Sequence, residues 1–133
     1  MAGITTEVDP DVVRRELDRF AKRIGMSGMP LFDADKTLTF GVEGAKLSFE
    51  LNADSTYLTV SYAVIPELSE TDSYLMSALE KTCYTGGYVY SATYVDPYII
   101  FTSQLPNKSI SAENFEKLLF GFINLWNEVK HGN

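Results

Sequence analysis

Three runs of alternating apolar and polar residues, separated by short turns, constrain the fold of this chain more than any other feature. They cover residues 37–40, 46–51 and 57–65. Alternation with a period of two places the apolar side chains of each run on one face. Short turns between such runs favour an antiparallel meander. The sequence therefore predicts a sheet with one buried face, which helices must cover.

Amphipathic helices are predicted on both sides of this strand block. The first is expected to begin after Asp9, a good N-cap residue, and to end before Gly25. The last is expected to follow Ser111, and its apolar stripe is wide enough to lie on a sheet. The remaining predicted elements are a second helix and two further strands, over about residues 71–84, 88–94 and 98–105. The prediction is one α+β domain over residues 1–133, ordered over about 9–130, in the order α-β-β-β-α-β-β-α.

Composition narrows the function classes. The 133 residues are 45% hydrophobic and 22% charged, which is typical of a globular domain. The net charge of -7 argues against nucleic-acid binding, which needs a basic face. Membrane insertion is not expected, because no apolar run is long enough to span a bilayer, and the first residues do not resemble a secretory signal. A lone cysteine, Cys83, favours the cytoplasm.

Residues that carry catalytic chemistry are scarce. His131 is the only histidine and lies three residues from the end of the sequence, and Cys83 has no histidine near it in sequence to activate it. Asp33 and Asp35 form an acidic pair whose simplest interpretation is a solvated turn, with a weak cation site or a carboxylate pair as alternatives. No enzyme activity, cofactor or metal is expected.

Two surface patterns have a binding interpretation and a plainer one. Five of the eleven basic residues lie on the first predicted helix, at Arg14, Arg15, Arg19, Lys22 and Arg23. They are either a docking face for an acidic partner or, as is more common, a solvated helix face. The tyrosines at 84, 88, 90, 94 and 98 are either interface residues or ordinary strand residues.

The chain resembles the type III secretion chaperones, the family that includes the Tir chaperone. The resemblance covers about residues 9–129 and rests on element order, size, acidity and local features. These features are the first helix ending at Ile24-Gly25, the strands at 38–40 and 46–51, Leu105-Pro106 before the last helix, and Trp126 within it. It implies a cytoplasmic homodimer that binds the N-terminal segment of a secreted effector, keeps that effector export-competent and hands it to the secretion ATPase.

The resemblance also implies where the partners bind. It places the two-fold interface on the second helix and the following strand, at Leu75, Met76, Leu79, Tyr88 and Tyr90. The client site is expected on the first helix and early strands, at Leu17, Leu31, Phe32, Leu38, Phe40 and Phe49. Leu31 and Phe32 lie outside the alternating core pattern, which indicates an exposed apolar patch. The alternative is that both side chains cap the core, and one face of the strands must be core in any case.

The sequence is also compatible with two other classes of function. One is a protein-interaction domain outside secretion, such as an immunity or adaptor protein, since fold does not determine function. The other is a small-ligand domain on the same topology, which the scarcity of titratable site residues disfavours.

Overall fold

The computed structural model describes seven stretches of the chain. These are residues 7–25, 37–42, 44–52, 56–66, 71–81, 84–85 and 88–130. The side chains of Phe40, Thr71, Leu79, Glu80, Lys81, Tyr84, Thr85, Tyr88 and Val89 lie outside this description.

Helix α1 (Pro10–Arg23) begins and ends where the sequence predicts. The Asp11 backbone N–H donates to the Asp9 side chain at 2.9 Å, which satisfies a donor that the first turn of a helix leaves free. Gly25 follows the helix with a φ of +82°, a conformation that glycine adopts without strain. The apolar stripe of α1 is buried, with Leu17 and Phe20 at its centre.

Five strands form an antiparallel sheet, namely β1 (Thr37–Val42), β2 (Ala45–Leu51), β3 (Tyr57–Val64), β6 (Ser91–Val95) and β7 (Tyr98–Pro106). They lie in the order β1-β2-β3-β7-β6. The predicted meander is β1-β2-β3, and β1 continues two residues beyond the predicted run. Within the described residues, β1 and β6 are the edges of this sheet.

Helix α3 (Ala112–Lys130) lies with α1 over one face of the sheet. Phe20 of α1, Phe49 of β2 and Phe115 of α3 meet with ring centroids 5.0–6.0 Å apart, so the two helices and the sheet share one aromatic core. The Asn114 N–H donates to the Ser111 hydroxyl at 3.1 Å, as expected of an N-cap. The α+β prediction, with the first and last helices on the sheet, is confirmed.

The segment between β3 and β6 differs in detail from the prediction. Helix α2 (Thr71–Lys81) ends before Tyr84, and two short strands follow it. These strands, β4 (Tyr84–Thr85) and β5 (Tyr88–Val89), form a separate two-stranded sheet. The predicted strand over 88–94 is therefore divided between β5 and β6. Tyrosines at short intervals predict strand without locating the break between two strands.

Candidate functional site

The basic residues of α1 are used within the molecule. Each of the five has a nitrogen between 2.7 and 3.2 Å from a carboxylate oxygen of the same chain. Arg14 and Lys22 pair along α1 itself, with Asp11 and Asp18. The face is therefore largely neutralised, which favours the solvated-face interpretation over a docking site for an acidic partner.

Glu16 is a buried carboxylate at the contact of α1 with the start of α3. The residue is 4% exposed, and its carboxylate accepts a hydrogen bond from the Ala112 backbone N–H at 3.1 Å. Arg19 and Arg15 donate to the same carboxylate at 2.7 and 3.2 Å. Burial raises the pKa of Glu16, but the Ala112 hydrogen bond and the two arginines outweigh it and hold the pKa below its ordinary value. Glu16 thus caps the N-terminus of α3 as an anion.

Two further ion pairs continue along the contact of the two helices. Arg19 reaches Glu113 at 3.1 Å, and Arg23 reaches Glu116 at 2.9 Å. The pairs advance in the same direction along both helices, so α1 ends beside Glu116 while α3 continues for about four more turns. Beyond this point, α1 does not cover the flank of α3.

An apolar hollow opens where α1 ends. Its volume is about 430 Å³, and its lining residues are Arg23, Ile24, Gly41, Val42, Glu116, Leu119, Phe120 and Ile123. Phe120 is 54% exposed, which is unusual for an aromatic residue in the middle of a helix that packs on a sheet. The sequence signal for it is the apolar run Leu118-Leu119-Phe120. Three consecutive helical residues cannot all face the core, because each is rotated by about 100° from the last.

The edge of β1 borders this hollow through Gly41 and Val42. On one side β1 pairs with β2 along its full length, from Thr37 opposite Glu50 to Val42 opposite Ala45. In the described part of the chain, no strand pairs with its other side. A free edge presents backbone donors and acceptors to which an extended peptide can add.

The residues predicted to contact a client fall into three groups. Leu17, Leu38 and Phe49 are 2%, 5% and 0% exposed, so they are core residues and present no surface to a partner in this structure. Their alternation and helix spacing could not separate a core face from a binding face. Phe40 lies in β1, but its side chain is not described. Leu31 and Phe32 lie outside the described residues, as do Asp33 and Asp35.

The residues predicted for the dimer interface also differ in how exposed they are. Met76 on α2 is 60% exposed, while Leu75 is partly buried against the core. Tyr90 is 5% exposed and packs inside the protomer, with its ring 5.3 Å from that of Phe122. Leu79 lies on α2 and Tyr88 in β5, with side chains outside the description. Tyr94 and Val95, which are not among those residues, are 38% and 56% exposed on the edge strand β6.

Little in the described residues suggests other site chemistry. They contain no group of histidine, cysteine, aspartate and glutamate side chains able to hold a metal ion. Cys83 and His131 lie outside them. None of the helices described is both long enough and apolar enough to cross a bilayer.

Comparison with known proteins reveals similarity of structure without similarity of sequence. No family model matches the chain, and no curated protein matches it. Among solved structures, the HopA1–SchA chaperone–effector complex contains a similar chain, with a TM-score of 0.69 and 13% identity over 93% of this chain and 98% of the other. The Yersinia pestis type III secretion chaperone SycH, in complex with a fragment of YscM2, matches with a TM-score of 0.67 and 12% identity over 88% and 98%.

A chain of the ExsC–ExsE complex also matches, with a TM-score of 0.61 and 17% identity over 93% of this chain and 92% of the other. More distantly, YbjN of E. coli, described as a candidate transcription regulator, has a TM-score of 0.52 and 13% identity over 85% and 84%. The fold thus occurs in proteins described in different ways, and the closer likenesses are to chaperones. The chain has the fold of the type III secretion chaperones.

Proposed function

We propose that this protein is a cytoplasmic chaperone that binds the N-terminal segment of a type III secreted effector and keeps it export-competent. The observation that carries the proposal is the fold match to SchA and SycH, which extends over 98% of each of those chains. Both belong to complexes, one of a chaperone with an effector and one of a chaperone with a protein fragment. A similarity that extends over whole chains supports a shared mode of action more strongly than a similarity confined to a sub-domain would.

The surface we propose for the client is the free edge of β1 together with the adjoining hollow. A client in extended conformation would add a strand to β1 through backbone hydrogen bonds. Every second side chain of that strand would face the helices. Of these, the side chain level with Gly41 and Val42 would enter the apolar hollow beside Phe120. Leu17 and Phe49 support this surface from the core.

The physical role is to bury apolar segments of a chain that must stay unfolded. Such a client loses conformational entropy when it binds, so the contact must be extended and partly apolar to offset that cost. A β edge supplies many hydrogen bonds with little demand on sequence, and an apolar hollow supplies selectivity. Neither requires bond-making chemistry, so we propose no catalytic role. The secretion ATPase is the expected recipient of the client.

Amide hydrogen exchange tests the proposed client surface. The protein would be co-expressed with N-terminal segments of proteins encoded beside its gene, and exchange would be compared with and without the captured segment. Strand addition should slow exchange of β1 amides by roughly tenfold or more, because bound edge amides are withdrawn from water. The amides of β6, at the opposite edge, should change much less. Slowed exchange confined to β6 or α2 would contradict the assignment.

A pair of variants sharpens this experiment. Phe120→Asp should weaken capture of the segment, because it places a charge in the apolar hollow. Tyr57→Asp is the matched control. Tyr57 is 43% exposed, but it is the first residue of β3, where it pairs with Pro106, and it does not line the hollow. It should leave capture unchanged. A captured protein that is folded, and whose N-terminal segment is dispensable, would favour an adaptor or immunity protein instead.

We further propose that the protein is a homodimer through α2 and the edge strand β6. Met76 and Val95 are both more than half exposed, and α2 packs beside β6. A stable dimer buries about 1,200–2,000 Å² in total, which a helix and a neighbouring edge strand can supply. Multi-angle light scattering should return twice the chain mass of 14.9 kDa. Met76→Asp should return the mass of one chain, and a monomeric wild-type protein at micromolar concentration would contradict this proposal.

A further inference from the structure

Gly41 in the edge strand β1 is the only glycine within the strands described. A glycine inside a strand ordinarily marks a bulge, a tight bend or a close approach by another group. The pairing of β1 with β2 continues without interruption through Gly41 opposite Lys46 and Val42 opposite Ala45, so no bulge is present. The bend between the two strands uses Gly44, which has a φ of +83°, and not Gly41.

Packing within the described residues does not require a glycine at position 41 either. An ideal Cβ built on Gly41 would meet only the backbone oxygen of Ala45 within 4 Å, at an ordinary contact distance of 3.8 Å. A side chain would therefore fit, and a β-branched one would favour the strand more than glycine does. Of the usual reasons for a strand glycine, close approach by another group is the one that remains.

The space over Gly41 opens toward the free edge of β1. Leu38 and Val42 pack on the core, so Gly41 lies on the face of the sheet that is turned away from α1 and α3. We call this the outer face, and the row of it that begins at Gly41 continues with Lys46, Ala63, Ile100 and Thr93. Lys46 leans away from Gly41, because its Nζ lies 5.1 Å from the ring centre of Tyr98 on β7.

We propose that this space receives an aromatic side chain of the client strand that adds to β1. The client residue opposite Gly41 would share its face of the sheet, so its ring would lie across the glycine and against the methylene stem of Lys46. An aromatic residue beside an edge glycine covers backbone that the glycine leaves bare, which is the strongest form of such cross-strand contact.

The inference rests on the proposed chaperone function and adds a sequence requirement to it. Successive side chains of an added strand point to opposite faces of the sheet. The client residue opposite Val42 would thus enter the apolar hollow, while its neighbour opposite Gly41 would lie on the outer face. The expected client segment contains an apolar residue next to a phenylalanine, tyrosine or tryptophan.

Selection of peptides tests this requirement without a known client. Random peptides displayed on phage would be selected against the wild-type protein, Gly41→Thr and Ser91→Thr. Ser91→Thr is the matched control, because it enlarges an exposed outer-face residue of the opposite edge strand β6. The wild type and Ser91→Thr should enrich peptides with an aromatic residue next to an apolar one. Gly41→Thr should bind these peptides about tenfold more weakly and should enrich small or β-branched residues in place of the aromatic one.

Thermal unfolding distinguishes a binding role of Gly41 from a structural one. Gly41→Ala and Gly41→Thr should melt a few degrees above the wild type, because both residues lose less backbone entropy on folding and meet no obstacle. A melting temperature of Gly41→Ala below that of the wild type would show that the fold itself needs the glycine, and would overturn the proposal. Equal affinity of the wild type and Gly41→Thr for the selected peptides would overturn it as well. So would a change of oligomeric mass in Gly41→Thr, because the β1 edge would then join two copies.

The glycine also gives a direct spectroscopic readout. A ring that lies over Gly41 shifts the NMR signals of its two α-protons upfield through the ring current. Alanine at the aromatic position of the peptide should abolish this shift. Binding of the selected peptides without any shift of the Gly41 signals would place their rings elsewhere and contradict the proposal.

The outcomes separate this inference from the chaperone proposal. If effector segments slow exchange at β1 but bind equally well after their aromatic residues are replaced by alanine, the inference about Gly41 is wrong and the chaperone proposal stands. If aromatic peptides shift the Gly41 signals while no effector segment is captured, the β1 edge binds extended aromatic peptides and the chaperone proposal is wrong.

Discussion

The position of Tyr90 is decided by a residue that carries no side chain. An ideal Cβ built on Gly121 of α3 would overlap the Tyr90 hydroxyl and lie 3.1 Å from its Cζ atom. The absence of that Cβ lets the Tyr90 ring approach α3 closely, where it packs edge-on against Phe122. The family resemblance placed Tyr90 at the dimer interface, and the fit of its ring to a glycine thirty-one positions away leaves no local signal in the sequence that would place it in the core.

Because of this contact, Gly121→Ala should destabilise the protein, whereas the same substitution usually stabilises a helix. Alanine in a helix interior is ordinarily about 1 kcal/mol better than glycine. Here the added methyl group collides with Tyr90, and overpacking of this kind costs about 1–3 kcal/mol. Urea unfolding should therefore show a less stable protein. The double variant Tyr90→Phe/Gly121→Ala should lose less than the sum of the single losses, and strict additivity would argue against the contact.

Glu16 predicts how one carboxylate contributes to stability as the pH changes. Because its folded pKa lies below the ordinary value of 4.5, its contribution is present above the unfolded pKa and is lost as the pH falls through the folded pKa. Glu16→Gln should lower the free energy of unfolding at pH 7 by about 1–3 kcal/mol, since it removes the charge that two arginines and the Ala112 N–H solvate. Below pH 4 the difference from the wild type should shrink.

Asp18→Asn is the control for this measurement. Asp18 pairs only with Lys22 among the salt bridges described, and its side chain is 63% exposed. Exposed pairs of this kind contribute about 0.2–1 kcal/mol. Urea titrations of both variants across pH 3 to 7 should therefore separate them. A Glu16→Gln loss as small as that of Asp18→Asn would mean that the cap on α3 is not an anionic one.

At the scale of elements, the signals with a local cause were the ones that predicted structure well. Asp9, Gly25 and Ser111 bound helices through chemistry within one turn of the chain, and the alternation in β2 and β3 matches their buried and exposed faces. The pairing of β4 with β5 does have a local signal, since a Gly-Gly pair such as Gly86-Gly87 is typical of a two-residue hairpin turn, but the same pair is equally typical of a helix end. Elements were therefore more predictable than their boundaries.

The candidate site was less predictable for a related reason. Apolar residues of early strands were predicted to meet a client, but Leu38 and Phe49 are buried in the core that the sheet shares with α1 and α3. The hollow arises from an offset between the two helices, because α1 ends at Arg23 while α3 continues to Lys130. The pairing of Arg23 with Glu116 sets that offset. Such an offset exists only once the helices are docked.

For the whole molecule, the sheet order separates the two proposed surfaces. The β1 edge lies at one end of the order β1-β2-β3-β7-β6, and β6 with Val95, beside α2 with Met76, lies at the other. Four strand spacings of about 4.8 Å place the edges roughly 19 Å apart. A dimer formed through α2 and β6 would thus leave both β1 edges free, and the two copies could bind two stretches of one client. Effects of variants at the two ends should be independent.

This arrangement predicts a melting temperature that depends on protein concentration. If the protomers associate through Met76 and Val95, association stabilises the folded state by mass action, and the melting temperature rises with concentration. Each tenfold increase in concentration adds about 1.4 kcal/mol to the stability of the dimer relative to unfolded chains. Differential scanning calorimetry over a hundredfold range should resolve this rise in the wild type and in Phe120→Asp. In Met76→Asp the rise should disappear, because a charge at the apolar contact disfavours association. A melting temperature independent of concentration in all three proteins would mean that the exposed side chains of α2 and β6 do not join two copies.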